Sequence, residues 1–195
     1  MIVVDLDGTL LSGNSLREFA KFLAKRSLKG MKFDPLARIL FWLFLRRARL
    51  VSHKRMKWHL MKAADSLLQT ADYEDFADIL MPQLNPAVVD FIRDKDDCLL
   101  ATAASAEYVE PLARRLKLDF VATVRPERFG DYREIRGQRK LEAVKGYKKP
   151  IEIVLTDHHD DLPLLLAAER PILVHPLPLT LMTVKASGLS PEIIY

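Results

Sequence analysis

The chain has 195 residues, 49% of them apolar, a net charge of +4 and one cysteine, Cys98. That is ample for a sizeable core in one domain, or in one domain carrying a large insertion, and it excludes an internal disulfide, so a reducing compartment is expected. No run reaches the roughly 18 uninterrupted apolar residues that suggest a spanning helix. No secretory leader precedes the apolar "IVVDL" of residues 2–6, which points to the cytoplasm.

In chain order, "IVVDL" reads as a short buried strand bounded by glycine. From about Asn14 to Met81 the apolar spacing is helical, with no good strand. Asn85 then stands as an N-cap with Pro86 at the first helical position. Beyond it strands and helices alternate: strand "CLLAT" (98–102), a helix near 105–117 capped by Ser105, and strand "FVATV" (120–124). A polar stretch with Gly130 and Gly137 suggests a small hairpin. A helix near 138–146, strand "IEIVLTD" (151–157), a helix near 161–169 and strand "PILVH" (171–175) follow. This alternation predicts an α/β fold with a parallel sheet covered on both faces.

Charge divides the chain as well. Residues 21–62 hold thirteen of the 30 Lys/Arg but only one of the 26 acids, Asp34, leaving +12 there and −8 on the remainder. A basic helical segment within an acidic α/β body implies two regions with different tasks. The expected division is an α/β core of residues 1–13 and 86–195 and an inserted all-helical cap of residues 14–85.

In parallel sheets, ligands bind outside the carboxyl ends of the strands. Asp5 and Asp7 fall at such an end, as do Thr102 and Asp157. Asp161 lies one turn into the following helix, and Lys140 begins another. Singly, each has a structural explanation. Asp-x-Asp-Gly is a common turn, Asp161 could cap a helix, and Lys140 (or its neighbour Arg139) could be solvated. Together they place four carboxylates, a hydroxyl and an ammonium around one crevice. Four clustered carboxylates repel one another, and a hard divalent cation, Mg²⁺, relieves that repulsion. Mg²⁺ keeps few protein ligands and favours phosphate oxygens, so a phosphate ester is the expected substrate. His158 and His159 are less suited to hold metal, because adjacent residues are expected to point in different directions.

These stretches resemble the four motifs of the haloacid dehalogenase superfamily. "DLDGTL" (5–10) is similar to the first, "LLATAAS" (99–105) to the second, Lys140 in "GQRKLEAV" to the third and "TDHHDDLPLL" (156–165) to the fourth. In the fourth, Thr156 and His158 replace the usual Gly and Ser. The resemblance implies a Rossmann-like core and a covalent phosphatase mechanism. Asp5 would be the nucleophile and Asp7 the general acid and then base. Mg²⁺ would be held by Asp5, the Asp7 carbonyl and Asp157, with Asp161 completing or supporting the shell. Thr102 and Lys140 would bind the phosphoryl group, and Gly8 would let the backbone turn beside it. The chain also resembles phosphoserine-phosphatase-like members and the phosphatase domains fused to membrane prenyltransferases; "LLATAASAEYVEPLARRLKL" (99–118) carries most of that likeness.

Only 37 residues separate Thr102 from Lys140, so a cap must come from the first insertion. There, seven apolar residues run from Ile39 to Leu45, followed by Arg46, Arg47 and Arg49. Two readings stand equally. Residues 36–62 could meet an anionic membrane surface, or the apolar run could be the core of the cap, with Phe41, Trp42 and Phe44 packed against Trp58 and Leu60. No motif for reading nucleic acid accompanies the charge, so nucleic acid is not an expected partner. The expected activity is Mg²⁺-dependent hydrolysis of a phosphomonoester, lipid-linked or otherwise apolar. The alternatives are a phosphatase of a small metabolite such as phosphoserine, a phosphotransferase, or a membrane-docking protein with an inactive core.

Overall fold

The computed structural model describes all residues, Met1–Tyr195. Six strands form one parallel sheet in the order β3-β2-β1-β4-β5-β6. They are β1 (Ile2–Val4), β2 (Cys98–Ser105), β3 (Asp119–Thr123), β4 (Ile153–Thr156), β5 (Arg170–Val174) and β6 (Glu192–Ile194). Nine helices accompany them: α1 (Ser15–Lys29), α2 (Phe33–Arg47), α3 (His53–Asp65), α4 (Thr70–Leu80), α5 (Pro86–Ile92), α6 (Ala106–Arg115), α7 (Gln138–Lys145), α8 (Leu162–Ala167) and α9 (Pro178–Ala186). The fold is the expected Rossmann-like α/β sheet, with four helices inserted between β1 and α5.

Side chains alternate across the pleat, so each strand feeds two cores. Ile2, Val4, Leu100, Leu155 and Ile172 join the larger one with α5, α6 and the inserted helices. Met1, Val3, Leu99, Val154 and Leu173 join the smaller one with residues of α7, α8 and α9. β1 lies between β2 and β4, in register Ile2↔Cys98 and Ile2↔Ile153. The chain runs from β1 to β2 and β3 on one side, then crosses to β4 on the other, and a crevice opens at the carboxyl ends of these central strands, where the order reverses.

The insertion is packed onto the sheet side rather than detached from it. Phe19 of α1 and Phe76 of α4 meet the ring of buried Tyr108 in α6, at 4.8 and 5.5 Å between centroids. Arg115 pairs with Asp78 at 2.6 Å and Arg125 with Asp65 at 2.6 Å across the same seam. Asn85 caps α5 through the Ala87 N–H at 3.1 Å, as its position before Pro86 predicts.

Several elements differ from the sequence expectations. The stretch around Gly130 is a single 3-10 turn (Phe129–Asp131) rather than a hairpin; Tyr132 inserts into the interior there and the backbone does not pair with itself. β2 runs three residues beyond Thr102, because Thr123 hydroxyl and the register shift after Ala101 keep Ala103 and Ser105 attached to β3. Ser105 holds the N-cap position of α6, but its hydroxyl donates to Glu107 at 2.6 Å instead of accepting a backbone N–H. α9 and β6 extend the fold past the last strand expected; the Arg170 guanidinium clamps Glu192 at 2.7 Å to hold that edge. No helix is long and apolar enough to cross a membrane.

Candidate active site

The loop after β1 is built by backbone hydrogen bonds. Asp5 N–H donates to the Leu155 carbonyl at 2.9 Å, which fixes Asp5 as a continuation of β1 beside β4. Leu11 N–H returns to the Leu6 carbonyl at 2.8 Å and Gly8 N–H to Gly13 at 3.0 Å, closing a tight turn. Gly8 has φ +77°, and a Cβ there would stand 2.3 Å from Asp157 Oδ2. The glycine therefore serves two purposes: it adopts a left-handed backbone and lets Asp157 lie against the turn.

A cleft of about 360 Å³ opens over this loop. Asp5, Asp7, Gly8, Thr102 and Asp157 line it, together with Ala103 and, at the far side, Arg136. Four strand-end residues singled out from the sequence thus meet at one crevice. Burial drives the Asp5 carboxyl up to about 7, despite the opposing charge of Lys140. Burial likewise raises Asp157 to about 6. Asp7 is raised by burial and held back by the Ser15 N–H, which donates to its Oδ1 at 2.6 Å from the first turn of α1. Thr102 Oγ1 accepts the Ala104 N–H at 3.0 Å, which leaves its hydroxyl proton available to a ligand.

Lys140 is almost fully buried at the start of α7. Its ammonium donates to Asp5 Oδ1 and to Asp161 Oδ2, both at 2.6 Å. Burial alone would pull this lysine down, but the two carboxylates outweigh it and hold it above the ordinary range. The Thr156 hydroxyl also donates to Asp161 Oδ2, at 2.9 Å. Asp161 is therefore engaged with Lys140 and Thr156 and is not among the cleft-lining residues; Asp157 is the carboxylate of this pair that faces the opening. Thr156, at the position of the usual glycine, has a definite task in orienting that acid.

Asp5, Asp157 and the Asp7 carbonyl supply hard oxygen atoms of the kind Mg²⁺ requires. Asp157 makes no ion pair with any lysine or arginine; burial is the main cause of its raised pKa, and the nearby charge of Lys140 offsets it only in part. The donor set fits a divalent ion.

Other residues at the site were not singled out from the sequence. Lys57 of α3 donates to the Ala103 carbonyl, one residue beyond Thr102, and to Glu134 Oε1 at 2.8 Å. Its signal was faint: it lies within a basic run, yet it neighbours Met56 and stands one turn from Leu60, both on the buried face of α3. Arg136 pairs with Asp160 at the mouth. His158 and His159 do not diverge as their adjacency suggests; their rings stack at 4.1 Å. They cluster with Asp160, but the His158 Nδ1 accepts the Asp160 N–H at 3.1 Å and His159 Nδ1 meets the Thr180 hydroxyl at 3.3 Å, so the cluster is bonded within the protein.

Comparison with known proteins agrees with this architecture. A protein of unknown function from Bordetella pertussis Tohama I has a similar structure, with a TM-score of 0.77 and 24% identity over 100% of this chain and 97% of that one. A phosphoserine phosphohydrolase-like protein from Francisella tularensis gives a TM-score of 0.55 at 19% identity, over 99% and 94% of the two chains. A probable phosphoserine phosphatase from Vibrio cholerae gives 0.62 at 15% identity, over 99% of this chain and 60% of that one. No curated protein matches the chain in sequence. The profile of the haloacid dehalogenase-like hydrolases, however, matches residues 2–166, a span that holds all four motifs and every cleft residue described above, and the chain belongs to that family.

Proposed function

We propose that the protein hydrolyses phosphate monoesters through an aspartyl-phosphate intermediate. The observation that carries this reading is the joint placement of Asp5, Asp7, Thr102 and Asp157 in one cleft, with buried Lys140 bridging Asp5 and Asp161. Asp5 attacks phosphorus, and the P–O bond to the leaving group breaks as Asp7 gives that oxygen its proton. Asp7, now a carboxylate, takes a proton from the water that attacks the acyl phosphate, which releases inorganic phosphate and regenerates Asp5. The Thr102 hydroxyl donates to a phosphoryl oxygen. The Lys140 ammonium, fixed by Asp161, offsets negative charge shared by Asp5 and the phosphoryl group. Asp5, Asp157 and the Asp7 carbonyl would hold Mg²⁺, with Asp161 supporting them through Lys140, and the ion would supply positive charge to offset that of the phosphate.

Asp7 as a proton donor favours hydrolysis of a phosphoester over dehalogenation, and intact Asp5 and Asp7 argue against an inactive core. Transfer of the phosphoryl group to an alcohol uses the same intermediate, and added alcohols in the assay distinguish it by the ester formed. The test is Mg²⁺-dependent release of phosphate from p-nitrophenyl phosphate, abolished by Asp5→Asn. Undiminished release from that variant overturns the reading.

A specific observation favours work at a lipid surface. The outer face of α2 exposes Phe33, Leu40, Phe41 and Phe44, and Arg46, Arg47 and Arg49 follow directly. An apolar stripe beside clustered arginines suits the inner, anionic face of a membrane, and a lone buried cysteine suits the reducing cytoplasm.

A further inference from the structure

The inserted helices form a second cavity of about 450 Å³, within the range of pockets that hold small molecules. Its walls are Leu16, Ala20 and Ala24 of α1, Leu43 of α2, and Met56 and Leu60 of α3. Asn14 lines both this groove and the carboxylate-lined cleft. It is held there as the N-cap of α1, its Oδ1 accepting the Arg17 N–H at 3.0 Å. An apolar space and the polar, carboxylate-lined cleft therefore meet at the start of one helix.

We propose that this groove takes the apolar chain of the leaving group, so that the substrate is the phosphate monoester of a long-chain alcohol. The inference rests on the phosphatase reading above. The polar lining residues are Asn14, Arg17, Lys21 and His53, with no carboxylate among them. Of an amino-acid leaving group such as serine, the carboxylate could pair with Arg17 or Lys21, but the ammonium would find no acid in this groove, and neither charge gains from its apolar walls. A hydrocarbon chain does gain, by leaving water.

The experiment is a series of alkyl phosphates from ethyl to decyl, each below its micelle concentration, assayed beside phosphoserine by phosphate release. Expected is a kcat/KM that rises with length, by up to roughly fourfold for each methylene that enters the groove, with phosphoserine no better than the ethyl ester. Ala24→Trp, which places an indole in the groove, brings the decyl-to-ethyl ratio close to one. Binding of decylphosphonate and ethylphosphonate to the wild-type protein, by calorimetry, reads the groove without turnover and without any variant. A flat series from an active enzyme, or a preference for phosphoserine over decyl phosphate, overturns the proposal while leaving the phosphatase reading intact. If no ester is hydrolysed, the phosphatase reading falls, and the two phosphonates still decide: tighter binding of the decyl compound supports the groove, and equal binding overturns it.

Discussion

Lys57 of α3 and Glu134, on the segment between β3 and α7, form an ion pair at 2.8 Å with only 5% and 16% of their side chains exposed. The pair joins the inserted helices to the sheet beside Ala103, which lines the cleft. The seam between the two regions thus carries a nearly buried charge next to the proposed chemistry.

Removing one partner of such a pair leaves the other charge without compensation, which costs about 3–5 kcal/mol when burial is complete. Lys57→Met is expected to approach the lower end of that range, because Glu134 keeps some contact with water. Lys57→Met combined with Glu134→Leu recovers most of the loss. Urea unfolding of the two single variants and the double variant checks this. Additive losses would show that the pair is not coupled.

Asp5→Asn removes the nucleophile but keeps the shape. Turnover is expected to fall to background while the thermal midpoint holds close to wild type, since burial already disfavours the charged form of Asp5. A variant that unfolds would instead assign Asp5 a structural role through its bond to Lys140.

Gly8→Ala adds a methyl where Asp157 Oδ2 lies 2.3 Å away, at φ +77°. The backbone strain is about 1–2 kcal/mol, a modest loss, yet the displaced Asp157 is expected to weaken Mg²⁺ activation by a much larger factor. Titrating activity against Mg²⁺ checks it; an unchanged midpoint would remove Asp157 from the metal shell.

The metal-free protein should lose stability as the pH rises. Asp5 and Asp157 are raised from 3.8 to about 7 and about 6. Between those limits the folded chain binds more protons than the unfolded chain, so their contribution falls as pH climbs through the window. Mg²⁺ compensates the ionised pair, so its stabilising effect is expected to be larger at pH 8 than at pH 5.5. Thermal melts with EDTA and with Mg²⁺ at both pH values test this, and an equal effect of Mg²⁺ at the two would contradict it.

The site was legible in the sequence where chemistry and strand ends coincide. Asp5, Asp7, Thr102 and Asp157 each terminate an apolar run, and parallel strands must bring such ends together. Which of Asp157 and Asp161 faces the cleft could not be read that way, because the bond of Lys140 to Asp161 depends on how α7 packs against α8 and β2. Lys57 was hidden because a buried lysine and a solvated one look alike within a basic run. The short α9 and β6 lack a strong apolar period, and β6 is placed only by its pairing with β5 at the edge of the sheet.

The outer face of α2 supplies the last prediction. The two sequence readings of this helix divide its residues differently from the structure. Ile39 is fully buried, Trp42 is half-buried and stacks on His59 at 3.5 Å, while Phe41 and Phe44 remain exposed. Trp58 turns elsewhere, its indole N–H donating to the Pro126 carbonyl at 3.1 Å. The helix thus has an inner edge that packs and an outer face that does not. Ile39→Ala is expected to cost about 2–5 kcal/mol, the usual range for emptying a core position, whereas Phe41→Ser with Phe44→Ser should stay within about 0.5 kcal/mol per site. If the outer face meets lipid, the same serine pair abolishes cosedimentation with anionic vesicles. Each interfacial side chain fully buried contributes roughly 1.5–3 kcal/mol and each arginine near anionic lipid about 1 kcal/mol, so wild-type binding is strong at low salt and weak at high salt. Trp42 reports the event through its fluorescence, since it sits between the two faces. Wild-type protein that stays in the supernatant with anionic vesicles at low salt would remove the membrane from the account, and the exposed phenylalanines would then need another partner.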